Sequence, residues 1–167
     1  PGARVIGGAG ARRSAVAAGL RRASIFHFAG HAVADDDHPE RSFLVLAPGD
    51  GDPSGRLTAE EIGGMDLRHV RLVVLSACET LPGRGGRSGG FAGFAGALLA
   101  SGAGGVAGSL WQVDDAHTRA LMTELHRAYR ASGDPPAALR EAQLRLFRSG
   151  GALRSPAAWA AFRYVGS

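Results

Sequence analysis

Cys78 is the only cysteine in the chain, and it stands at the end of the apolar run LVVLSAC, residues 72–78. A second apolar run, IFHFAGHA at residues 25–32, carries His27 and His31. A thiol attacks a carbonyl usefully only as thiolate. Its ordinary pKa of about 8.5 is brought down by a neighbouring imidazole or by exposed backbone N–H groups at a strand-to-loop turn. Short runs rich in Val, Ile, Leu and Phe have the pattern of strands buried on both faces. In an open parallel sheet the chemistry collects just beyond the strands' carboxyl ends. His31 and Cys78 are therefore expected to meet at one rim of one sheet.

The elements that must hold them alternate between helical and strand-like patterns, which predicts an α/β fold with a mainly parallel sheet. Val5 and Ile6 are expected to end a first strand, and residues 12–22 to form a helix with Val16, Ala17 and Leu20 on one face. Further strands are predicted at residues 25–29, 43–47, 72–76, 105–110 and 161–165. Thr58 followed by Glu61 has capping-box spacing and opens a short helix through Ile62. Residues 88–100 read as a buried helix. Asp114 or Asp115 caps a helix with Leu121, Leu125 and Ala128 on one face, closed by Gly133, and Pro136 opens another to about Phe147. Residues 83–90, rich in Gly and Arg, read as a mobile loop. Nothing repeats and no linker divides the chain, so residues 1–167 read as one domain.

At 167 residues, 45% hydrophobic and 20% charged, the chain suffices for one domain with its own core. The net charge is +4, but all 19 basic residues are Arg, scattered from Arg4 to Arg163 among 26 Gly. That is compositional bias rather than a binding stripe, and no nucleic-acid partner is expected. A single cysteine cannot close an internal disulfide, so the thiol is free and a cytoplasmic setting is expected. Residues 91–113 are uncharged and long enough to span a bilayer, yet Gly102, Gly104 and Gly105 would break a helix at its middle. A helix, a glycine turn and a strand are predicted instead, with no membrane partner. The chain starts at Pro1 without a basic segment leading into an apolar one, which gives no signal peptide to read. It is expected to be part of a longer protein.

Other chemistries fit less well. His27 and His31 have a spacing that binds zinc on a helix, but on a strand they need not converge, and no Glu or second Cys completes a site. No metal is expected, and His27 reads as a structural histidine beside the site. Cys78 and Arg84 have the spacing of phosphatase loops, but Glu79 inside such a loop would repel the dianion, and the glycines after Arg84 do not begin the helix whose N-terminus such loops use. The acidic run at residues 35–37 reads as a solvated loop. Trp111 is expected to pack as core at a pocket wall, and Trp159 as core near the last strand.

His31 stands upstream of Cys78 by roughly the 50 residues that separate histidine from cysteine in caspases. Five segments carry a more specific resemblance: HFAGHA (27–32), LTAEEI (57–62), LVVLSACET (72–80), GGFAGFAGALLASGAGGVAGSLWQVDD (89–115) and WAAFRYVG (159–166). Together, in this order and over nearly the whole chain, they resemble the CHAT domain, a caspase-like (clan CD) cysteine peptidase family related to separases. The N-terminal strands of that family look missing or truncated, so residues 1–167 are expected to be the C-terminal part of a longer chain.

The resemblance implies a caspase-like three-layer sandwich, with a mainly parallel central sheet flanked by helices. It also implies a cysteine endopeptidase that cleaves a protein substrate through a dyad, without metal or organic cofactor. Cys78 would be the nucleophile and His31 the general acid/base, with the backbone N–H groups of Cys78 and Ala32 as oxyanion hole. The family usually has Gly where Ala32 stands. SLWQVDD resembles the separase stretch whose aspartate binds a basic P1 side chain. Asp115 is the matching position, and Ser76 would line the same pocket. Many relatives have Pro where Gln112 stands. Regulatory or sensor domains, on the same chain or on a partner protein, are expected from the family. The alternative is a catalytically idle interaction module on the same fold.

Overall fold

Leu72, Val73, Val74 and Leu75 are all buried, as consecutive residues must be in a strand covered on both faces. In the computed structural model, which describes residues 3–35, 37–49, 51–79, 89–111 and 113–166, they open the central strand β4 (Leu72–Glu79). β1 (Ile25–Val33) and β5 (Gly105–Ser109) flank β4 and run parallel to it. The edges are antiparallel. β2 (Phe43–Val45) pairs with β1 and with β3 (Arg56–Thr58), and β6 (Phe162–Gly166) pairs with β5. The sheet order is β3-β2-β1-β4-β5-β6, so four of its six strands point the same way.

Alternation along the strands divides the core in two. Val73, Leu75 and Val106 point to one face, packed with Val16 and Leu20 of α1 (Arg13–Leu20), Ile62 of α2 (Ala59–Gly63), and Phe94 and Leu98 of α3 (Gly89–Ala100). Leu72, Val74 and Ala107 point to the other. There they meet Leu121, Met122, Leu125 and Tyr129 of α4 (Asp115–Ser132), Leu139 and Leu146 of α5 (Pro135–Ser149), and the short α6 (Pro156–Trp159). The molecule is thus an α/β three-layer sandwich, as expected.

Local signals place most boundaries. Thr58 and Glu61 form the reciprocal capping box. Asp114 caps α4 through the N–H groups of Ala116 and His117, and Gly133 closes it at φ 68°, where only a residue without Cβ sits at ease. Between α3 and β5 the chain turns at Gly102, φ 97°, where a Cβ would lie 2.6 Å from Arg68 Cγ. That turn divides the uncharged stretch into helix and strand. Among the described residues no helix is long and apolar enough to cross a membrane.

Four expectations change, the first being that β4 runs on to Glu79 rather than ending at Ser76. Val5 and Ile6 belong to no strand and Val5 is 88% exposed, because Gly7, Gly8 and Gly10 give the segment no side chains to bury against an edge. β1 runs four residues beyond its expected end, through Val33, because β2 and β4 pair with it up to that point. β2 stops at Val45, and the three-residue β3, too short to register as a pattern, returns beside it.

Leu125 is fully buried between α4 and the sheet. Leu125→Ala is expected to cost about 2–5 kcal/mol, seen as a lower denaturant midpoint at unchanged slope; a loss under about 1 kcal/mol would mean that the α4 layer packs loosely.

Candidate active site

β1 and β4 are in register with His31 beside Cys78 and Ala29 beside Ser76. Neighbouring strands lie about 4.8 Å apart, so residues in register on one face are direct neighbours. By alternation His27, Ala29 and His31 of β1 share the α4 face of the sheet with Val74 and Ser76 of β4, and His31 is paired with Cys78 in the backbone register. His31 is exposed at the carboxyl end of β1. The rim expected for the two residues is thus the last rungs of a ladder, rather than the loops beyond it.

Below that rim the sheet face is open. Ala29 is exposed and Ser76 half-buried, so two small side chains form a shallow floor two residues below His31 and Cys78. Ser76 Oγ lies 2.9 Å from His27 Nε2. His27 Nδ1 lies 2.9 Å from His126 Nε2 of α4, with the rings tilted and their centroids 5.0 Å apart. On the next strand Ser109 Oγ donates to the carbonyl of Ala77, 3.3 Å away, and ties β5 to β4 at the same level.

The polar chain under the floor is uncharged at neutral pH. Burial, and then the neighbouring His126, lower the His27 pKa from its ordinary 6.5 to about 4. Burial lowers that of His126 as well. An imidazole in this setting gives up its proton rather than lose hydration of the charged form.

The other expected site residues are spread along the rim. Ala32 is buried and sits between Leu44 of β2 and Glu79 of β4, so its backbone N–H lies in the plane of the sheet. Asp115 is the exposed first residue of α4. Since His126 of the same helix rests on His27, and a helix rises about 1.5 Å per residue, Asp115 stands about 16 Å along α4 from that contact, towards the end where β5 delivers the chain. The carboxyl-terminal rim of the sheet is therefore also the amino-terminal end of α4.

Trp111, expected in the core, is 45% exposed, because the chain leaves β5 at Ser109 and passes over the rim before α4 begins. Trp159 is half-buried, edge-on to Phe147, and donates to the Arg154 carbonyl. Asp35 caps a turn by accepting from the His38 N–H. Gln112 and most of the Gly- and Arg-rich loop at 83–90 lie outside the described residues. Among the described residues no three His, Cys, Asp or Glu side chains gather as a metal site.

Two residues of the site were not evident from the sequence, Ala29 of the floor and, on α4, His126. The signal for His126 was a histidine inside the apolar stripe Leu121, Met122, Leu125 and Tyr129.

A caspase-like three-layer sheet carrying histidine and cysteine on adjacent parallel strands defines the class. The CHAT domain family profile matches residues 1–167, the whole chain, and the protein belongs to that family, a caspase-like clan CD family related to cysteine peptidases. No curated protein matches the chain in a sequence search.

The depressed His27 pKa has a thermodynamic consequence. The unfolded chain takes up this proton near pH 6.5 and the folded protein only near 4, so this contribution to stability is complete above about pH 6.5 and lost as pH falls towards 4. In urea titrations at pH 7 and pH 5, wild type is expected to lose more stability on acidification than His27→Gln. Equal losses would show that His27 titrates freely in the fold.

Proposed function

We propose that the protein is a cysteine endopeptidase working through a His31/Cys78 dyad, with a preference for a basic P1 residue. The observation that carries this proposal is the register of β1 on β4, which makes the two residues rung neighbours.

The mechanism follows from that adjacency. The Cys78 thiolate adds to the scissile carbonyl carbon, and the tetrahedral oxyanion is met by the backbone N–H groups of Cys78 and Ala32. His31 protonates the leaving amine as the C–N bond breaks, leaving an acyl thioester on Cys78. A water that gives its proton to His31 then hydrolyses the thioester. Neither step requires a metal or an organic cofactor.

Ser76 and Ala29 floor the space beneath the nucleophile, and Asp115 at the start of α4 supplies the carboxylate for an Arg or Lys side chain. The substrate is a protein segment able to lie extended along the rim. A reducing cytoplasm keeps the lone thiol available, and accessory domains or a partner govern access to it.

Fluorogenic peptides with varied P1 test the proposal. Wild type is expected to cleave after Arg or Lys, Cys78→Ala to be inactive, and His31→Ala to lose about 10²–10⁴-fold in kcat/KM. Asp115→Ala is expected to raise KM for P1 Arg about ten- to a hundredfold. Cleavage surviving Cys78→Ala would refute the dyad. Specific binding of a partner without cleavage would indicate an interaction module.

A further inference from the structure

His27 and His126 meet where α4 packs on the sheet, beside a largely apolar layer. Around them Leu72, Val74, Leu121, Met122 and Leu125 pack α4 on the sheet. Two leucines would fill this layer without the desolvation that two imidazoles cost, so the pair needs a role that apolar side chains do not supply. Its geometry points in one direction. From His126 the chain of 2.9 Å contacts leads through both nitrogens of His27 to the hydroxyl of Ser76, which is half-buried and beside the exposed Ala29.

Proton counting leaves two arrangements. A neutral imidazole has one N–H and one bare nitrogen, and both nitrogens of His27 have a partner. In the first arrangement the Ser76 hydroxyl donates to bare His27 Nε2, and His27 Nδ1–H donates to His126 Nε2. Both lone pairs of Ser76 Oγ then face the open floor. In the second the chain runs the other way, so one Ser76 lone pair is consumed by His27 Nε2–H and the hydroxyl proton points outwards. Guanidinium and ammonium groups are donors only. They find two acceptor lone pairs in the first arrangement, and in the second only one, beside an outward O–H that opposes them.

We infer that His27, backed by His126, is a positioning residue. It draws the Ser76 hydroxyl proton down into the α4 layer so that Ser76 presents only acceptor lone pairs to a cationic P1 side chain. This rests on the proposal that Ser76 floors the P1 pocket. Asp115 would then supply charge from the rim, and Ser76 a directed acceptor from the floor. The neutrality of the buried pair keeps positive charge from lying beneath a positive substrate group.

Two measurements test it. In ¹⁵N spectra of ring-labelled protein, His27 is expected as the neutral Nδ1–H tautomer, with an Nε2 resonance that moves in Ser76→Ala. An Nε2–H tautomer would overturn the inference whether or not the protein cleaves peptides. In kinetics, His27→Leu and Ser76→Ala are each expected to raise KM for P1-Arg peptides about tenfold at nearly constant kcat. The double variant should be no worse than either, and His27→Gln, which keeps an acceptor, should recover part of the loss. Additive losses, or equal losses on P1-Arg and P1-Met peptides, would reduce His27 to a packing residue. Failure of wild type to cleave any peptide would count against the peptidase proposal alone, and the ring-nitrogen spectra would still decide the role of His27.

Discussion

The parallel pairing of β1 with β4 is the constraint on which the rest of this molecule depends. Side chains alternate with a period of two, so sliding β1 by one residue would turn Phe26 and Phe28 out of one core layer and Ile25 and His27 out of the other. Register is therefore held by hydrophobic burial on both faces at once. The same burial that makes the sheet stable brings His31 beside Cys78 and His27 within reach of Ser76. Chemistry at the rim is a by-product of a register that the core enforces.

The two layers contribute differently. The layer of α1, α2 and α3 is apolar and closes its face of the sheet around Phe94, Leu98 and Val106. The α4 layer is apolar near α5 but carries a hydrogen-bonded polar chain where it crosses β1. A buried polar group is tolerated when each donor and acceptor finds a partner, and both nitrogens of His27 do. Such a chain is directional, since reversing it means moving every proton in it. Direction is what an apolar contact cannot provide, and it allows a buried pair to influence a hydroxyl in the open floor above.

Much of this was legible in sequence because it is local. The capping box at Thr58 and Glu61, the Asp114 cap, the Gly133 stop and the glycine turn that interrupts the uncharged stretch each follow from chemistry within a few residues. Motif order also led to the family. Illegible were features in which one partner is distant. β1 lengthens past Ala29 because β2 and β4 pair with its far end, and Trp111 is exposed because the chain runs over the rim rather than under it.

Residue types and their spacing by themselves determined an α/β domain with one free thiol, a histidine and a cysteine each near the end of a buried strand, and caps that bound most helices. Backbone propensity and burial pattern act over a few residues, and sequence displays them directly. Tertiary structure alone decided that His31 and Cys78 share a rung, that Ala29 and Ser76 leave the face open below them, and that His126 lies against His27 across 99 positions of chain. Those relations depend on strand order, register and the placement of α4 on the sheet. The whole core sets them at once, and no local pattern records them.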